Sequence, residues 1–181
     1  MPKKLYIYAP YVVSLLVAAI FSSIRDSTFF ASDAAVQFVD LVGRWIPMVD
    51  NLHVATNYST FIAFAHSVLW FCIPFMVWFG WQWVKLSKPE IKVAFFTRNS
   101  RFKRGLFYVG MSLWAFVSFT LAWPTAHRGS DIPYLYTDFI GMSFDFCAQA
   151  VMFWCLGIAA RYALVEHRYF LDTTKQGEQN G

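Results

Sequence analysis

Four long apolar runs, Leu5–Ile24, Thr60–Val84, Leu106–Trp123 and Ile140–Leu164, dominate this chain of 181 residues. At a rise of about 1.5 Å per residue, each is long enough to cross or nearly cross a hydrocarbon core of roughly 30 Å. The positive charge collects on one side of them. Lys3 and Lys4 precede the first run, seven basic residues lie within Lys85–Arg104, and Arg161, Arg168 and Lys175 close the chain. The alternate segments hold only Arg25, Arg44 and Arg128, so the division is 12 against 3. The positive-inside rule reads that asymmetry as both termini and the Lys85–Arg104 loop in the cytoplasm. The expected fold class is an all-α integral membrane protein, a four-transmembrane-helix bundle with both termini cytoplasmic.

Four spans leave no room for a separate soluble domain, so residues 1–170 are expected to form one membrane domain. The polar stretch 171–181 is expected to be a disordered cytoplasmic tail. An aromatic content of 20% and a mean hydropathy of +0.42 suit a lipid-facing surface better than a water-soluble core. A net charge of +4 suggests nucleic acid in other settings. Here the basic residues are better explained as anchors beside anionic headgroups, and no nucleic-acid partner is expected. The first run is about 20 residues long and Ala31-Ser32-Asp33 is a poor cleavage context, so it reads as a retained helix rather than a signal peptide. Cys72, Cys147 and Cys155 all fall inside expected helices, and no CxxC occurs, which argues against a membrane thiol oxidoreductase. Asn57-Tyr58-Ser59 matches the glycosylation pattern by chance.

Between the first two runs, Ala35, Phe38, Val39, Val42, Trp45 and Ile46 recur at helical spacing, with Asp33, Gln37, Asp40 and Arg44 on the other side. This predicts an amphipathic outer-side helix, capped by Ser32 or Asp33 and followed by Pro47. Its apolar face either binds a partner or packs on the bundle. Pro74 falls near the middle of the second run, where a kink is expected. Trp78-Phe79-Gly80-Trp81-Gln82-Trp83 reads as an aromatic belt at its inner end. Val93-Ala94-Phe95-Phe96 in the basic loop reads as a segment dipping into the inner headgroups. The second outer loop, Thr125–Phe139, carries His127, Arg128, Asp131, Tyr134 and Tyr136, a recognition tip. Arg161 is expected to snorkel toward the inner headgroups.

Asp145 is the one acid clearly within a run, and an acid in hydrocarbon costs a few kcal/mol unless it faces protein or water. Counting inward from the outer boundary places His66 six residues deep and Asp145 five, roughly 8–9 Å in both cases. Ser118 sits at a similar level on the third run, and Gln149 lies one turn below Asp145 on the same face. His66, Ser118, Asp145 and Gln149 therefore form a candidate intramembrane polar cluster. It reads either as an ion, proton or ligand site, or as a structural clasp between helices. A metal or haem site has less support, because only His66 is well inside a run and no HxxxH or CxxC spacing occurs. No nucleophile is matched to a base, so no catalytic residue, metal or other cofactor is expected.

The layout, an outer first loop of some 35 residues and a basic central loop in a chain of about 180, resembles the inner-membrane immunity proteins that protect bacteria from pore-forming colicins of the A and B type. Ile46-Pro47-Met48-Val49-Asp50-Asn51-Leu52-His53 resembles their segment before the second span. The eight tryptophans depart from that family. The resemblance implies a bacterial inner-membrane protein that binds a membrane-inserting, pore-forming toxin and holds its channel closed, with neither cofactor nor catalysis. Phe38, Val42, Trp45, His127, Tyr134 and Tyr136 would then line the toxin-binding face. Two other readings stay open: a small haem- or quinone-associated subunit of a respiratory complex, and a small transporter or channel built on Asp145 and His66.

Overall fold

The computed structural model describes residues 5–55, 59–120, 139–168 and 170. Among these the chain is helical throughout, with no strand. The elements are α1 (Leu5–Ile24), a short 3-10 turn (Thr28–Ala31), α2 (Asp33–Gly43), α3 (Pro47–Ala55), α4 (Ser59–Lys85), α5 (Pro89–Arg98), α6 (Arg101–Thr120) and α7 (Phe139–Arg161). A π-helical turn, Tyr162–Glu166, continues α7. Three helices are long and apolar enough to cross a membrane: Tyr6–Ile24, Thr60–Lys85 and Phe139–Glu166. α6 is described only to Thr120 and spends its first turn on Arg101, Lys103 and Arg104, so it falls short of that standard over this range. The rest of the expected third span, residues 121–123, lies outside the described residues, as do the second outer loop and the tail 171–181.

Contacts fix the helix directions. Tyr6 at the start of α1 meets Trp78 and Phe79 near the end of α4, while Phe21 meets Phe61 and Phe64 near its beginning. α1 and α4 are therefore antiparallel. α4 and α7 run parallel, with His66 beside Asp145 at one end and Arg161 over the Trp81 ring at the other. Trp70 meets Phe119, the penultimate residue of α6, so α6 runs against both. The long helices thus alternate in direction along the chain. Each leaves an apolar stripe unburied. On α6, Phe102, Leu106, Val109, Leu113 and Phe116 recur every three or four residues and stay exposed, the surface a helix shows to lipid rather than to water.

The chain after α1 folds back over α4. Ser32 caps α2, its hydroxyl accepting from the Ala35 N–H at 3.3 Å. Ala35, Val39 and Val42 turn inward with Met48, Val49 and Leu52 of α3 and join a core that includes Phe61, Ile62, Leu69, Met142 and Phe146. The Pro47 that ends the amphipathic pattern also opens α3, a position where the missing N–H has no partner to lose. Pro74 sits inside an unbroken α4.

At the opposite end, the basic loop is itself ordered. Pro89 occupies the first turn of α5, and the helix lies against the end of α7. Phe95 stacks on Tyr162 with centroids 4.0 Å apart, and Phe96 stacks on Phe170 at 4.9 Å. The two rings thereby join α5 to the end of α7. Arg161 is tied into the same region. Its Nε donates to Glu166 Oε1 at 3.0 Å, because that carboxylate is buried beside it.

Candidate functional site

α4 presents His66 to α7 seven residues from its start, about 10 Å along the axis at 1.5 Å per residue. The ring is almost completely enclosed, at 1% exposure, with Phe146 edge-on at 5.3 Å. Nδ1 lies 2.9 Å from the Ile62 carbonyl oxygen, one turn back on the same helix, and Nε2 lies 3.0 Å from Asp145 Oδ2. One turn further along α7, Gln149 donates from Nε2 to both Asp145 oxygens, at 3.3 and 3.1 Å. Flipping that amide would set its oxygen against the carboxylate, so the network assigns its orientation.

The geometry restricts the protons. A backbone carbonyl can only accept, so Nδ1 carries a hydrogen. One further hydrogen must lie between Nε2 and Oδ2, on one side or the other. The His66–Asp145 pair thus holds one shared proton and is neutral as a unit, which is how two ionisable groups can sit together away from water without an unpaired charge. Gln149, donating to both oxygens, holds the carboxylate in place against His66. Its own Oε1 is buried with no protein partner, and so is Trp70 Nε1. Trp70 lies one turn along α4 from His66 and meets Phe153, one turn along α7 from Gln149. Gln149 thus carries an unmatched acceptor within the cluster, and Trp70 an unmatched donor one turn along α4 from His66.

Of the four side chains of the expected cluster, the structure brings His66, Asp145 and Gln149 together. Ser118 is half-buried on α6 and makes no hydrogen bond to them. Counting residues along a helix sets depth but not rotation about the axis, and α6 turns Ser118 elsewhere.

The partner-binding residues divide. Val42 is buried at 6% exposure, and Phe38 packs on Phe64 with centroids 4.7 Å apart, so both serve the docking of α2 on α4. Of the two readings open to the apolar face of α2, packing on the bundle is the one these two side chains follow. Trp45, in the turn just past the end of α2, is 77% exposed, and Leu41 in the last turn of α2 is exposed as well. His127, Tyr134 and Tyr136 lie outside the described residues.

A second polar centre escaped sequence reasoning. Glu166, 7% exposed at the end of the π turn, accepts from Lys92 Nζ of α5 and Arg161 Nε of α7, both at 3.0 Å. The acid lies two residues beyond the last apolar run, where it reads as part of a solvated tail. The available signal was its spacing: residues five apart align on a π turn, not on an α-helix. Among the described residues, no three His, Cys, Asp or Glu side chains are grouped to hold a metal ion.

Comparison of the chain with protein-family models, with curated proteins and with solved structures finds no match.

Proposed function

We propose that this protein is a four-span inner-membrane protein, both ends cytoplasmic, that works by binding a membrane-inserting toxin as colicin immunity proteins do. The observation that carries this reading is Trp45. It is a large aromatic side chain left 77% exposed on a pair of helices that are otherwise packed firmly onto α4. An exposed tryptophan in the turn between α2 and α3 is the kind of anchor that dominates protein–protein binding energy, commonly about 2 kcal/mol or more. Tyr134 and Tyr136 of the second outer loop complete the proposed face. The remaining span is read from the apolar run Leu106–Trp123 of the sequence, and the alternating directions of the long helices suit four crossings. The pore-former's hydrophobic hairpin meets this face before its channel opens and is held closed.

The direct test is expression in a susceptible strain and challenge with the toxin encoded beside this gene. Survival that drops with Trp45→Ala and Tyr136→Ala supports the reading. Survival unchanged by both variants removes the face while sparing the function, and no protection at all removes the function.

One observation favours a second reading, a proton-coupled transporter. The shared proton of His66 and Asp145, next to an unmatched donor and acceptor, is the arrangement from which a proton relay is built.

A further inference from the structure

Where the first turns of α6 meet the end of α7, the two helices enclose an open cleft of about 520 Å³. Arg101, Arg104, Tyr108 and His167 line it, and Gly105 and Ala163 form its small-residue wall. Among the described residues, no carboxylate lines it. The nearest buried acid, Glu166, faces a separate cleft and is held there by Lys92 and Arg161.

The charged walls are built rather than loose. Arg104 donates from Nη1 to the carbonyl oxygens of Phe96 at 2.6 Å and Asn99 at 3.2 Å, and its guanidinium lies over the Phe96 ring at 5.2 Å. That fixes the plane of the group and leaves Nε and Nη2 for a ligand. Arg101, one turn earlier, is exposed. Tyr108 stands one turn past Arg104, and its hydroxyl is buried with no protein partner. Gly105 has nothing within 4 Å of where a β-carbon would be, so the helix carries a notch between the arginines and the phenol.

We propose that this cleft binds the headgroup of an anionic phospholipid from the adjoining leaflet. The phosphate sits between Arg101 and Arg104, the fork geometry that guanidinium groups offer to phosphate oxygens. The Tyr108 ring, about 10 Å further along the helix from Arg101, packs on the Val84, Phe96 and Tyr162 cluster and walls the cleft beyond the arginines. The acyl chains run down the exposed stripe of Leu106, Val109 and Leu113 on the adjoining face of α6. That stripe selects a lipid over free phosphate, since a soluble anion would leave it uncovered. Basic pockets between helices at a membrane surface hold anionic headgroups by this combination of charge and apolar wall. The inference rests on the membrane reading and is independent of any toxin.

The test uses the full chain, purified in detergent, stripped of lipid, and exposed to phosphatidylglycerol, phosphatidylcholine or inorganic phosphate. Bound lipid is counted by mass spectrometry of the intact complex. Retention of phosphatidylglycerol over phosphatidylcholine is expected, with binding about fivefold weaker for Arg101→Gln, the loss of one charge at a membrane surface. The β-carbon of Gly105→Leu meets nothing within 4 Å and its side chain grows into the open cleft, so the variant should fold and lose the lipid. Equal retention of both lipids, phosphatidylglycerol binding unchanged in Gly105→Leu, or displacement of the lipid by millimolar phosphate would each overturn the proposal. If Arg101→Gln does not fold, Gly105→Leu decides alone. Loss of protection against a toxin with lipid binding intact would concern the other reading only.

Discussion

Gly80 of α4 and Gly157 of α7 each face the other helix's backbone at a single crossing. A β-carbon on Gly80 would fall on the Trp154 carbonyl oxygen, and one on Gly157 on that of Val77. Parallel helices come this close only where both lack a side chain, and in lipid, where no hydrophobic force draws helices together, close backbone packing is a main source of their adhesion. Gly157→Ala or Gly80→Ala should therefore cost about 1–3 kcal/mol, as overpacking does elsewhere. The thermal midpoint in detergent measures it, with Gly110→Ala as the control. Nothing lies within 4 Å of a β-carbon at Gly110, so alanine there should leave the midpoint unchanged or raise it slightly.

The His66–Asp145 contact should behave as an interhelical clasp. Asp145→Ala strands a buried imidazole and should lower folded yield. Asp145→Asn keeps an oxygen and a donor in place and should recover most of it. A double-mutant cycle with His66→Ala should give a coupling of about 0.5–2 kcal/mol. If Asp145→Ala instead folds normally and abolishes activity, the proton or ligand site takes precedence over the clasp.

Glu166 ties α5 to α7. Its side chain is more deeply buried than that of Lys92, at 7% against 21% exposure. Glu166→Ala leaves two cations facing one another and should cost about 3–5 kcal/mol, the range for breaking a buried pair from one side. Lys92→Met keeps the Arg161 pairing and should cost less. Limited trypsin digestion reads both: the Glu166→Ala protein should be cut within Lys85–Arg104 well before the wild type, and equal cleavage rates would contradict the role.

Topology has its own check. Reporters fused after Asn51, Asn99 and Asp131 should read outside, inside and outside, as the charge division of 12 against 3 requires. Protease cleavage near Asn99 from outside intact cells would overturn the orientation.

The reach of the sequence differs from residue to residue for physical reasons. The expected run Leu5–Ile24 coincides with α1, and Thr60–Val84 falls one residue short of α4 at each end, because apolar length in these segments leaves little else for the backbone to do. The nearness of His66 and Asp145 could be read from depth, since the two helices enter from one side; Ser118 could not, since rotation of α6 depends on packing. Val42 was visible as apolar but not as buried, for an amphipathic stripe looks the same whether it meets a bundle or a partner. α5 hid inside a run of charges, although Pro89-Glu90 is a fair helix start. The Gly80–Gly157 crossing was masked by tryptophans on either side of Gly80, which drew attention to the interface belt. Glu166 lay past the apolar run, and only the π turn brings it under Arg161.

The central claim, that this protein meets a pore-former within the bilayer, is tested most directly by potassium efflux from spheroplasts. The isolated channel-forming domain of the neighbouring-gene toxin is added from outside, which bypasses receptors and import. Spheroplasts expressing the wild-type chain should retain potassium, and those expressing Trp45→Ala at the same membrane level should leak toward the rate of the empty vector. Efflux from wild-type spheroplasts as fast as from the vector control would contradict the account.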